Sequence, residues 1–202
     1  MLTMDMQVRR ISIVSSRPFD AVVERLTSSI GRPDMRAFHA ALVAADSAAD
    51  LETVVRDAVG TSGLMEFARF DAGEVVRTMH GGAGPRLLRL VVGNPLIMQQ
   101  MAATVPDAAS YAPVTILIDE RSDGVHVSYD LFASLLAAYG DGQAIAVAAA
   151  LDAQIEALLE AAAGSSVAAT GSAGDPGETA EGRRCGEPRA DGAYGAPGSP
   201  AT

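Results

Sequence analysis

The chain has 202 residues, nearly half of them apolar, and a formal net charge of −10 at pH 7. The chain has no lysine, which excludes Schiff-base chemistry on a lysine and a phosphate-binding loop built around one. An acidic surface without a basic cluster argues against nucleic acid as a partner, and no apolar run approaches the ~18 residues of a membrane span.

Residues 8–15, VRRISIVS, alternate as a strand does. FDAVVERLTSSIG then places Phe19, Val22, Val23, Leu26 and Ile30 on one helical face, with Gly31 and Pro33 as stop signals. Two more helical patterns follow. DMRAFHAALVAA is capped by Asp34, and ADLETVVRDAVG is terminated by Gly60. GLMEFARFD, 63–71, reads as a strand with Leu64, Glu66, Ala68 and Phe70 on one face and Met65, Phe67 and Arg69 on the other. A short helix is expected over 72–79. HGGAGP, 80–85, lacks a lysine and precedes a strand, so it is a connection rather than a phosphate loop.

PRLLRLVVG supplies the third strand. Gly93-Asn94-Pro95 then switches strand to helix: asparagine caps well, and proline suits the first helical turn because its missing N–H had no partner there. Met98 and Met101 share a face of that helix. Core packing is the ordinary reading of such a pair, and an adaptable ligand wall is the alternative. VTILID and VHVSYD, joined by Ser122-Asp123-Gly124, form a hairpin. Helices follow over 131–139 and 141–164. The last buries Ala148, Leu151, Ile155, Leu158 and Leu159, with Asp152 expected at the solvent edge of that stripe. From 165 to 202 the chain is Gly, Ala, Ser, Pro and charge, too polar to offset the entropy of ordering, so disorder is expected. Its Cys185 is the single cysteine, which excludes an internal disulfide. A start without a basic, long-apolar leader points to the cytoplasm.

The three histidines, His39, His80 and His126, have no metal-ligand spacing, and no metal or cofactor is expected. No nucleophile elbow occurs. The most suggestive polar group is Tyr129, Asp130 and Ser134, where Asp130 is placed to cap the helix that holds Ser134. With Asn94 and Glu66 these residues could face a cavity between sheet and helix. Their ordinary reading is a helix cap and a rim tyrosine.

The order of Phe19-Asp20, Phe70-Asp71, Gly93-Asn94-Pro95 and the hairpin preceded by Pro113 resembles the domain of unknown function 302 family, from about Ile11 to Ala163. The resemblance implies a β-α-β4-α fold like a TATA-binding-protein repeat. That is an α+β fold with a curved, mainly antiparallel five-stranded sheet packed on helices, including a long C-terminal one. The chain departs from shorter members by a helical insertion over 32–61, within a single domain spanning 8–163. The resemblance brings no reaction and no catalytic set. The function expected is a cytoplasmic, homodimeric domain that binds an apolar or amphipathic small molecule through Glu66, Asn94, Met98, Met101, Tyr129, Asp130 and Ser134. Two alternatives stand beside it: acid–base catalysis without metal or lysine, and a dimeric assembly module.

Overall fold

A computed structural model of the protein describes residues 3–164, so the tail over 165–202, with its expected disorder, lies outside the described residues. Five strands form one sheet: Arg10–Ser15 (β1), Met65–Asp71 (β2), Leu87–Gly93 (β3), Val114–Arg121 (β4) and Gly124–Asp130 (β5). Their spatial order is β1-β5-β4-β3-β2, and every neighbouring pair is antiparallel. The helices are Phe19–Thr27 (α1), Met35–Ala44 (α2), Ala48–Ala58 (α3), Ala72–Met79 (α4), Pro95–Ala102 (α5), Ala108–Tyr111 (α6), Phe132–Leu136 (α7) and Gly142–Ala163 (α8). The α+β architecture and the strand order along the chain agree with the sequence. No helix among the described residues is long and apolar enough to cross a membrane.

One face of the sheet carries the main core. Leu88, Leu90 and Val92 of β3, Val114, Ile116 and Ile118 of β4, and Val125, Val127 and Tyr129 of β5 pack against Phe19, Val22 and Leu26 of α1 and Leu151, Ile155 and Leu159 of α8. Alternate residues point the other way because side chains in a strand have a period of two. Register puts Thr115 beside Val91 and Ala68, and Leu117 beside Ser128, Arg89 and Phe70. None of Val14, Leu87, Val91, Leu117 or Phe70 belongs to a packed apolar cluster. Outside its Met65 end, where Phe38 and Val55 pack, this second face carries no apolar cluster and is uncovered, although His126, Ser128 and Asp119 lie buried within it.

The register of β2 shifts between Glu66 and Ala68. The bulge leaves Phe67 as the extra residue and corrects the simple alternation expected of this strand. Glu66 therefore lies on the side of Arg69 rather than of Phe70. Both oxygens of Glu66 accept from the Arg69 guanidinium, at 2.9 and 2.7 Å.

The α2–α3 segment leaves and re-enters the domain at one point. The Leu64 carbonyl accepts from the backbone N–H groups of both Gly31 and Gly60, each at 2.9 Å. A Cβ on Gly31 would sit 2.7 Å from the Gly60 nitrogen, and one on Gly60 would sit 2.6 Å from the Gly31 nitrogen. Both glycines end helical patterns in the sequence, but here they are required by the close approach of two backbones. Beyond this neck a small second core joins Phe38, Val55 and Met65.

Candidate functional site

The two ionisable side chains at the end of β5 point in opposite directions. Tyr129 faces the main core and is 2% exposed. Its hydroxyl donates to Oδ1 of Asp152 at 2.6 Å. The same oxygen accepts from the backbone N–H of Phe132 at 2.7 Å, and Oδ2 accepts from that of Ala133 at 2.9 Å. Asp152 is thus buried, not at the solvent edge of α8, and it caps α7 across the fold. The reason is the start of α7: its own cap residue is Leu131, which has no side-chain acceptor for the first N–H groups. Burial, then the bond to Asp152, pushes the Tyr129 phenol far above its ordinary value. Tyr129 therefore stays a protonated donor and is unsuited to act as a base.

Asp130, expected to cap that helix, instead faces the uncovered side. Its two oxygens accept from Nε and Nη2 of Arg10 at 2.6 and 2.8 Å. The guanidinium bonds hold the Asp130 carboxyl below the usual aspartate range. Ser134 lies near this end of the sheet, where its hydroxyl donates to the Leu131 carbonyl at 2.6 Å and accepts from the Arg9 backbone N–H at 3.0 Å. That contact pins the strand leading into β1 against α7.

The remaining candidates separate in the same way. Glu66 is held by Arg69 and faces Arg32 at 3.5 Å. Met101 is fully buried in the main core. Asn94 and Met98 do come together. With Phe67, Pro95, Ala112 and Pro113 they line an apolar notch of about 100 Å³ at the surface. Asn94 is engaged on both sides: Oδ1 accepts from the Leu96 N–H at 2.8 Å, and Nδ2 donates to the Gly63 carbonyl at 2.9 Å. The notch has no other polar side chain.

A second concavity, of about 190 Å³, lies on the uncovered face among Arg10, Arg89, Thr115, Leu117, Ser128 and Asp130. Nη2 of Arg89 donates to the Thr115 hydroxyl at 3.2 Å, and its guanidinium stands 5.8 Å from the centroid of the Phe70 ring. Sequence reasoning missed Arg89, although it is a charge inside the apolar run RLLRLVVG. It also missed the burial of Asp152, whose only signal was a carboxyl beside the apolar stripe of a long helix. His126 is 8% exposed, with Nε2 at 2.9 Å from Oδ1 of Asp123. No group of three or more possible metal ligands occurs among the described residues.

A family model described as "Domain of unknown function DUF302" matches residues 39–162. Among solved structures, the chain is similar to an uncharacterized conserved protein DUF302 from Bacillus stearothermophilus, with a TM-score of 0.55 and 13% identity over 76% of this chain and 97% of that one. At that identity the likeness concerns the fold alone. No curated protein matches the chain.

Proposed function

The chain belongs to the DUF302 family, and from that premise we propose that it is a small-molecule-binding domain whose apolar notch takes the apolar part of an amphipathic ligand. One observation carries this reading. The notch is concave and open to the surface, and its single polar side chain, Asn94, already has both its donor and its acceptor engaged within the protein. Such a wall offers a ligand contact area and no unmet hydrogen bond. Met98 adds a thioether on a chain with three rotatable bonds, which adapts to an irregular partner. The acid–base alternative loses support from the same geometry, because Tyr129, Asp130 and Glu66 face three different surroundings.

The test is a titration with an environment-sensitive apolar dye. Ala112→Leu, which fills the notch, should weaken dye binding at least about tenfold, the effect expected of about 1.4 kcal/mol. Met101→Leu, a core change of nearly equal volume, should leave binding in place. Absence of dye binding by the native chain, or binding indifferent to Ala112→Leu, removes the proposal.

A second reading, pairing of two copies through the uncovered sheet face, is favoured by Phe70 and Val14, which are 52% and 44% exposed there. Sedimentation velocity checks it: a native monomer at high concentration discards it.

A further inference from the structure

We propose that the ligand of the notch is an amphipathic carboxylic acid, whose acid group is held on the uncovered face of the sheet by Arg89. This rests on the reading of the notch above and extends it to the other end of the ligand. A concavity of about 100 Å³ encloses only a small apolar group, far less than the ~300 Å³ at the lower end for sites that enclose a whole ligand. The remainder of the ligand lies outside the notch, on whatever surface adjoins it.

The register of β3 identifies that surface. Leu88, Leu90 and Val92 are buried in the main core, so Arg89, Val91 and Gly93 point to the uncovered face. Two walls of the notch stand over Gly93. A Cβ built there would lie 3.1 Å from Cβ of Pro113 and 3.6 Å from Cε2 of Phe67. Notch and Arg89 therefore share one face of one strand, separated by about 13 Å at the ordinary rise of ~3.3 Å per residue. Val91 lies between them, half-buried and apolar, flanked by Ala68 and Thr115. A linear ligand running along this line meets apolar contacts first and a cation at its far end.

Arg89 has the chemistry of an anchor. Arg10, which borders the same concavity, faces a carboxylate. Arg89 has none among the described residues; its bond goes to a neutral hydroxyl, and its guanidinium carbon lies over the Phe70 ring, 5.8 Å from the centroid. In a chain of net charge −10, an arginine without an acid partner in the middle of a sheet face is a local site of positive potential. A guanidinium presents a planar fork of donors that matches a carboxylate in two parallel bonds. Thr115 Oγ1 accepts from Arg89 and keeps its own proton to donate. Asp130 also borders this concavity, but the two bonds from Arg10 offset its charge.

The experiment compares decanoate with decanol, two probes of equal chain length that differ in head group, by calorimetric titration of the full chain below the micellar range. The native protein should bind decanoate about tenfold more tightly than decanol, as a charge-assisted hydrogen bond at a surface allows. Arg89→Met keeps the long stem and removes the fork. It should abolish the preference and leave decanol binding unchanged. Ala112→Leu should weaken both probes. Equal binding of the two probes, with no effect of Arg89→Met, overturns the acid anchor and leaves the notch reading in place. Binding of neither probe removes both readings. Decanoate binding that survives Ala112→Leu but not Arg89→Met places the ligand on the sheet face alone and overturns the shared line. A dimer that closes the uncovered face and binds neither probe there overturns the anchor as well.

Discussion

The two faces of the sheet handle polar groups differently, and consecutive residues of β5 show how. On the covered face, Tyr129 and Asp152 are buried at 2% and 5% exposure, and the Asp152 oxygens accept from two buried donors and from the half-buried Ala133 N–H. On the uncovered face, Asp130 and Arg10 make an equally well-aimed pair while their side chains stay 37% and 64% exposed. The bonds have similar lengths but different consequences. A buried donor that loses its acceptor keeps its full desolvation cost, whereas an exposed one turns to water. The covered face is accordingly satisfied throughout: among the described residues no buried side-chain nitrogen or oxygen lacks a partner. The uncovered face has polar capacity left over, at Arg89 and Thr115. Buried, fully partnered polar groups are therefore concentrated on one side of the sheet and an exposed, unneutralised arginine on the other.

The largest test of this contrast is Asp152→Ala. It leaves two backbone N–H groups and a phenol without an acceptor in the core, and should cost about 3–5 kcal/mol of unfolding free energy. Urea denaturation measures it. Asp152→Asn, equal in volume but with one acceptor turned into a donor, should also destabilise clearly, which separates lost hydrogen bonding from an empty space. A loss below about 1 kcal/mol for the alanine variant would put Asp152 on the same footing as a surface acid.

Tyr129→Phe is the intermediate case. Asp152 keeps its two backbone donors, and the ring keeps its packing, so the expected loss is about 1–2 kcal/mol. The near-ultraviolet absorbance of Tyr129 should also resist ionisation in the folded native chain at high pH, because burial and the Asp152 bond both raise its phenol pKa. A tyrosine count in which every phenol ionises at the ordinary value of ~10 contradicts the buried pair.

The smallest effect belongs to the uncovered face. Arg10 lowers the folded value of Asp130 below the ordinary ~3.9 of an unfolded aspartate. The contribution is therefore fully present above that unfolded value and is lost as the pH falls through the lower, folded one. Asp130→Asn should cost under about 1 kcal/mol near neutral pH, since both side chains are substantially exposed. The gap between variant and native chain should close as denaturation is repeated toward about pH 3. Asp20 and Asp123, lowered by Arg86 and His126, respond in the same direction in both chains and cancel in the difference. A gap that widens in acid reverses the sign and breaks the argument.

The sequence by itself determined the five strands and every described helix but Ala108–Tyr111, in their order. Apolar periodicity marked Phe19, Val22 and Leu26 as one buried face, and Asn94-Pro95 fixed a strand-to-helix switch with the cap observed in the structure. Turn chemistry at Ser122-Asp123-Gly124 marked the hairpin that β4 and β5 form. These are local signals, set by the chain's own geometry over a few residues, and the order of several of them also carried the family resemblance. Only the tertiary structure decided which polar groups would meet. Asp152 lies far along the chain from the helix start it caps, and a carboxyl at the edge of an apolar stripe looks the same whether it turns to water or to an uncapped helix. The bulge at Phe67 reassigned Glu66 from the side of Phe70 to that of Arg69, because one extra residue inverts every side chain beyond it. Arg89 became distinctive only when register placed it on the bare face of a sheet, opposite Leu117 and Phe70 and without an ion pair among the described residues. Charge is written in the sequence, but whether a charge is neutralised depends on neighbours that only folding supplies.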